Sequence, residues 1–466
     1  MRILLVKSPK IASKYVPLGL GYIGAVLERA GHTVKIIDMA IEKMSLEKLK
    51  PFILTFKPEV IGLTGIIVEF VQILKIASIC KESAEISKVI VGGPLASSMP
   101  ETPLLNSNID IVVIGEGEST IIETIERIEN DQPIDDVRGI AYRVKGVPKI
   151  NPLREPLNID TLPFPARHLL PMNQYISPFK EWFGCDTEIK ATNMISSRGC
   201  PYSCIYCDQK VFGRKWRGRS AGNIVEEMAF LNERYHINGI IFNDDMFDLD
   251  KKRVYQICDE IKQCGLDIIW SCNSRANHAN KEMYQKMQKS GCRCVAFGIE
   301  SGNQKILDSM QKNLTLKQIS DAVKIAKDVG LTTIGYFMIS MLGEDRKTIY
   351  DTINFARRLH LDAGGFAITV PLPGTMLYER ATKDGVITGR DDWVKFARWS
   401  RPERHINLTH DLTQKQLVGI LNQAKWELYW SSPSRRPPRI ICNFLCSLSP
   451  VVRQFYPIIA HALKRD

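Results

Sequence analysis

Three cysteines stand close together in "SSRGCPYSCIYCDQ": Cys200, Cys204 and Cys207, separated by three and two residues. Thiolates bind zinc and iron–sulfur clusters, and a closed site of either kind takes four protein ligands. Three thiolates can instead hold three irons of a four-iron cubane and leave the last iron open. An open position is what separates a catalytic metal centre from a structural one. The competing readings are zinc, with His236 or Cys272 as fourth ligand, and cysteines that merely pack. Cys292 and Cys294 fit the last description, because free cysteine behaves as a small buried hydrophobe.

Such a loop needs a rigid mouth. From about residue 190 to 385, "ATNMISS", "GIIFNDD", "DIIWSCN", "CVAFGIE", "TTIGYFMIS" and "GGFAITV" alternate with helical segments. Six strand–helix units predict a partial (β/α)6 barrel of the TIM type, with chemistry at the C-terminal ends of its strands. The cysteine loop follows the first of them. Residues 1 to about 150 alternate in the same way, through "RILLVKS", "TVKIID", "PEVIGLTG", "KVIVGG" and "IDIVVIGEGE". That pattern predicts a separate α/β domain with a doubly wound, Rossmann-like parallel sheet. Ligands of such sheets lie outside the carboxyl ends of the strands, here the loops "KSPKIASKYVPLG", "GLTG", "VGGP" and "IGEGE". Residues 151–189, rich in proline, read as a linker, and 386–466 as a helical C-terminal region.

The excess of 62 Lys and Arg over 51 Asp and Glu, a charge of +11, favours anionic partners without selecting one. Twelve cysteines among 466 residues are too few for a secreted disulfide scaffold. The start lacks a secretory cleavage pattern, and no apolar run reaches the roughly 18 residues of a membrane span. These features together predict a reducing cytoplasm. The basic residues form no nucleic-acid-binding motif. In the tail, "PSRRPPRIICNFLCSLSPVVRQFYPIIAHALKR" reads as a helical cap on the barrel or as a peripheral contact with an anionic membrane.

The stretch "CPYSCIYC" resembles the signature of the radical S-adenosylmethionine (radical SAM) superfamily. The resemblance implies that Cys200, Cys204 and Cys207 ligate a 4Fe–4S cluster whose open iron is chelated by SAM, and that Tyr206 packs beside the adenine. It further implies that Asp244 and Asp245 in "FNDDMF" face the methionine amino group, and that Glu300, Ser301 and Gly302 in "FGIESG" face its methionine or ribose portion. "YFMISMLGED" resembles the fifth-strand motif but departs from it at Ser340, Met341 and Leu342. The first 150 residues resemble the cobalamin-binding domain that precedes the barrel in one large radical SAM class. That implies a corrinoid whose dimethylbenzimidazole tail lies among Thr64, Gly92, Gly93, Gly115 and Glu116. Where cobalamin proteins that ligate cobalt by histidine carry Asp-x-His-x-x-Gly, this chain has Asp38, Ala40 and Lys43, so that loop offers cobalt no imidazole. "GLGYIG", with Asp38 downstream, imitates a dinucleotide fingerprint. However, "PKIASKYVP" interrupts the tight strand-to-helix turn that such a site needs. His32 reads as a surface residue at a helix end.

The resemblance implies methyl transfer to an unactivated carbon of a small-molecule or lipid substrate. One SAM would supply the methyl through cobalamin, and a second the 5′-deoxyadenosyl radical that abstracts hydrogen. The electron would come from an external donor such as a flavodoxin or ferredoxin. The alternatives are oxidative cyclisation or ring rearrangement with the same cofactors, a non-catalytic cluster-and-corrinoid module, and a non-radical protein that binds nicotinamide or zinc.

Overall fold

The computed structural model describes residues 1–9, 13–179, 182, 189–389 and 405–433. The two readings of the tail from Ser434 onward therefore lie outside the described residues. Short β-branched runs build the first sheet: β1 (Arg2–Lys7), β2 (Thr33–Asp38), β3 (Val60–Thr64), β4 (Lys88–Gly92), β5 (Ile111–Val113), β6 (Ile140–Val144) and β7 (Val147–Ile150). They lie in the order β2-β1-β3-β4-β5-β6-β7. The first five are parallel. Alternate side chains feed two cores. Ile3 and Leu5 pack with α1 (Leu18–Arg29) and α4 (Glu118–Glu129), while Leu4 and Val6 pack with α2 (Leu46–Phe56) and α3 (Phe70–Ser83). The strand order reverses between β1 and β3, the switch point where doubly wound sheets open a crevice.

The sheet is not parallel throughout. β6 and β7 close it as an antiparallel hairpin. Lys145 and Gly146 between them both have positive φ (49° and 85°), as a two-residue type I′ turn demands.

The second sheet begins with β8 (Ala191–Met194). A small antiparallel ribbon follows, β9 (Ser197–Arg198) against β10 (Arg217–Gly218). The sheet then continues with β11 (Gly239–Phe242), β12 (Ile269–Ser274), β13 (Cys292–Glu300), β14 (Thr332–Ile339) and β15 (Ala363–Ile368). The order β15-β14-β13-β12-β11-β8 is sequential and every pairing is parallel. Phe242, Trp270, Phe297, Phe337 and Phe366 pack in the large core between strands and outer helices.

The two sheets are welded together. The core beneath α2 and α3 runs on into Ile205, Met310, Met341 and Leu377 of the barrel half. Val16, in the segment that spoils the dinucleotide turn, reaches across instead. The Val16 N–H donates to Asn193 Oδ1 (2.7 Å) and its carbonyl accepts from Asn193 Nδ2 (3.1 Å). The glycines of "GLGYIG" serve the same junction. A Cβ on Gly21 would lie 2.8 Å from Pro165 and one on Gly24 3.3 Å from Leu169, so α1 receives the connector at close quarters. Within that connector Arg167 is buried, donating to the Asn193 carbonyl (2.9 Å) and to Glu227 (3.0 Å). The described part of the expected linker around Arg167 is thus a packed seam. Among the described residues no helix is long and apolar enough to cross a membrane.

Candidate functional site

The β9–β10 ribbon pinches off the cysteine loop, and its first turn depends on Gly199. With φ of +83°, a Cβ there would meet the Lys215 carbonyl at 2.5 Å, a position only glycine fills. The Cys200 N–H donates to the Gly213 carbonyl (3.3 Å), and Gln209 Nε2 donates to the carbonyls of Cys200 (3.2 Å) and Tyr202 (2.9 Å). Ile205 ties the loop to the barrel, its N–H donating to Met310 O (3.0 Å) and its carbonyl accepting from Leu377 N (2.9 Å).

Cys200 and Cys204 are half-buried and Cys207 is exposed. Desolvation, then Asp245, then the other two thiols push Cys207 up to about 12; Cys200 is raised first by burial as well. Without metal Cys200 and Cys207 therefore favour their protonated forms, and ligation must displace those protons, which a cationic iron centre does. Among the described residues no three His, Cys, Asp or Glu side chains converge on one ion position. The proposed fourth zinc ligands are elsewhere. His236 caps the helix Ala221–Tyr235 at the opposite, N-terminal end of β11, and Cys272 is buried in the barrel core. Neither residue is placed to complete a zinc site at the loop. Cys292 and Cys294 are wholly buried, as core cysteines should be.

The strand ends divide into those that face the mouth and those that hold it. Asp244 turns inward: its carboxylate accepts from the Ser196 N–H (2.7 Å), Ser196 Oγ and Ser197 Oγ (2.6 Å). Asp245 instead walls a cavity of about 310 Å³ together with Asp208, Phe212 and Leu372. Burial and the Asp244 charge raise its carboxyl. Ser301 and Gly302 are bonded to Thr352 Oγ1 (3.0 Å each), which fastens the end of β13 to the helix Arg346–Leu359. Glu300 takes a positive φ of 68° and pairs with Lys312 at 3.0 Å, both side chains nearly buried. Lys312 also donates to Tyr206 Oη (3.2 Å). Gly298 makes room, since a Cβ there would lie 2.6 Å from Glu300 and 3.1 Å from Lys312. Lys312 has no signal in the sequence; it is a lone lysine in a turn.

Glu344, after β14, is buried and accepts from Met341 N (2.9 Å). Burial pushes its carboxyl up to about 8. A raised folded-state pKa means the native state binds the extra proton, so stability should fall as pH rises from about 4.5 to 8. The full shift corresponds to on the order of 5 kcal/mol. Glu344→Gln is expected to flatten that slope in urea unfolding followed from pH 5 to 9.

At the carboxyl edge of the first sheet, Lys7, Thr64 and Gly92 are register neighbours. Beyond them opens an apolar cavity of about 440 Å³. Thr64, Gly92, Gly93, Gly115 and Glu116 all line it. Among the described residues no histidine does, and Asp38 is engaged by Tyr175 Oη (2.8 Å), Lys7 (3.1 Å) and the Ala40 N–H (3.1 Å). Glu116 is not a free acceptor, because Arg198 (2.8 Å) and Arg217 (2.5 Å) hold its two oxygens. Ile66, Pro94, Val211 and Phe212 line both this cavity and the one at Asp245.

Residues 194–356 match the radical SAM superfamily and residues 8–125 the B12 binding domain. The chain is 35% identical over 439 residues, 92% of each chain, to a Pyrococcus horikoshii protein named an uncharacterized methyltransferase. It is 27% identical over 424 residues to the cytidylyl-2-hydroxyethylphosphonate methyltransferase of Streptomyces wedmorensis, covering 80% of this chain and 78% of that one. Among solved structures, its fold is similar to the radical SAM methyltransferase TsrM from Kitasatospora setae, solved with cobalamin and a [4Fe-4S] cluster. There the TM-score is 0.69 at 16% identity, covering 82% of this chain and 75% of that one.

Proposed function

Because the chain belongs to the cobalamin-dependent radical SAM methyltransferase family, we propose that it methylates an unactivated carbon of a small-molecule substrate. A 4Fe–4S cluster on Cys200, Cys204 and Cys207 would sit with SAM at the barrel mouth, and a corrinoid in the first-sheet cavity. The observation that carries this reading is the wall of Ile66, Pro94, Val211 and Phe212 common to both cavities. A substrate carbon held at that wall would lie between the two cavities that would hold these centres, the placement near-attack geometry calls for. When bound, the cluster and SAM supply a hydrogen-abstracting radical and the corrinoid supplies the methyl group.

The chain's own residues bind, orient and dry the site. Glycines along the edge admit a flat macrocycle, and Thr64 offers a hydroxyl beside it. The apolar wall keeps water from a radical. Asp245 faces the mouth as an acceptor for an ammonium, while Lys312, Glu300 and Tyr206 stiffen the floor under the cysteine loop. Asp244, Ser301 and Gly302 serve by holding strand ends in place.

Gly19 provides the test. It lines the larger cavity and a Cβ there meets nothing within 4 Å. Gly19→Phe lies in α1, where losing glycine favours the helix, and it fills the cavity. Hydroxocobalamin binding is expected to weaken by about tenfold or more, at least about 1.4 kcal/mol, while iron content and thermal midpoint hold. Undiminished binding would remove the corrinoid from this cavity. Methyl-deuterated SAM then distinguishes methyl transfer from cyclisation. Only a methyl-transfer product formed by the reduced, reconstituted protein from a small-molecule extract carries the label.

A further inference from the structure

Arg198 stands two residues before Cys200 and is almost wholly buried. Its guanidinium donates through Nη1 to Glu116 (2.8 Å) and through Nη2 to Glu118 (2.6 Å). Glu116 lies in the loop between β5 and α4, Glu118 is the first residue of α4, and both wall the first-sheet cavity. The guanidinium lies between two rings, 4.9 Å from Tyr22 of α1 and 5.1 Å from Phe212 of the cysteine loop. Its ribbon partner Arg217 holds the other Glu116 oxygen and also bonds the carbonyls of Leu157 (2.9 Å) and Phe212 (3.3 Å). Both ends of the cysteine loop are therefore clamped to one acidic turn of the other sheet.

A buried network with balanced charges adds little net stability, but it fixes geometry when every donor and acceptor is used. The planar fork of arginine sets two carboxylates at once, which a lysine point charge does not. We propose that Arg198 is a positioning residue that registers the corrinoid cavity against the cluster loop, so that the spacing of the two cofactors, and not the binding of either, depends on it. The inference rests on both cofactors occupying this chain.

The test uses full-length protein reconstituted anaerobically with iron and sulfide, loaded with hydroxocobalamin, and reduced so that cob(II)alamin and the cluster are both paramagnetic. Magnetic interaction between them, read from relaxation enhancement of the cob(II)alamin EPR signal, reports their separation. Arg198→Lys is expected to keep wild-type iron and corrinoid stoichiometry while that enhancement weakens and its distribution broadens. Glu118→Gln, which removes one arm and leaves Glu116 bridged, should show a smaller loss. Unchanged enhancement in both fully loaded variants overturns the proposal, even if their thermal midpoints fall, because a purely structural brace would move only the midpoint. If Arg198→Lys loses a cofactor outright, Glu118→Gln decides, with wild-type coupling there against the proposal and weakened coupling for it. Wild-type protein that takes up no hydroxocobalamin overturns the corrinoid assignment itself, a result distinct from normal loading with indifferent variants.

Discussion

Replacing Cys200, Cys204 or Cys207 singly by alanine is expected to strip the protein of its iron and lower 5′-deoxyadenosine formation from SAM by about three orders of magnitude or more. The cofactor carries that chemistry and no side chain can substitute for it. The loss should be selective. Two of the thiols are half-buried and the third exposed, so truncation removes little packing and costs about 1 kcal/mol or less. The loop would keep its other ties, the Ile205 bonds to Met310 and Leu377 and the turn at Gly199. Cys292→Ala is the informative contrast. That thiol is wholly buried in the barrel core, so the variant should lose about 1–2 kcal/mol of stability and keep its iron. The checks are iron and sulfide after anaerobic reconstitution, EPR of the reduced cluster, and urea midpoints. A member of the triplet that could be removed with iron and turnover intact would refute the cluster assignment.

The triplet was legible because its chemistry is local, with three ligands on one short loop. The barrel strands were legible for a related reason: a strand buried on both faces is written as a continuous apolar run. Period and run length carry no information about what crosses between domains. The proline-bearing segment around Arg167 looks like a spacer in sequence, yet it packs as a seam, with the buried Arg167 Nη2 donating to Glu227 and to the Asn193 carbonyl. Likewise "GLGYIG" has the spacing of a phosphate loop and the function of a packing stripe, settled only by Pro165 and Leu169 arriving against it. Asp244 and Asp245 are adjacent and chemically identical. Both lie past the end of β11 (Gly239–Phe242), where the chain turns one into a serine cradle and the other into a cavity, a division no local periodicity announces. The β6–β7 hairpin was hidden for a smaller reason, since its turn uses Lys-Gly where Asn-Gly or Asp-Gly would have announced it.

Lys312→Met is expected to be the most costly single change outside the cysteines. Glu300 would remain nearly buried at a left-handed backbone position, with its only ion-pair partner among the described residues gone. Uncompensated buried charge of this kind costs about 3–5 kcal/mol. The damage should also reach the cluster, because Lys312 donates to Tyr206, which sits directly between Ile205 and Cys207. Iron retention after gel filtration is therefore expected to fall along with the urea midpoint. If the lysine mattered only as a charge near the metal, Lys312→Arg would restore everything. If the Gly298 niche sets the fit, with 3.1 Å between its Cβ position and the ammonium, the larger guanidinium restores charge without restoring stability. The pair itself is isolated by adding Glu300→Gln to Lys312→Met. With no carboxylate left to strand, the double variant should be more stable than Lys312→Met alone, by a coupling of about 0.5–3 kcal/mol. A double variant that simply sums the two single losses would mean that Glu300 and Lys312 act independently, and that Tyr206 rather than the ion pair is what the lysine supports.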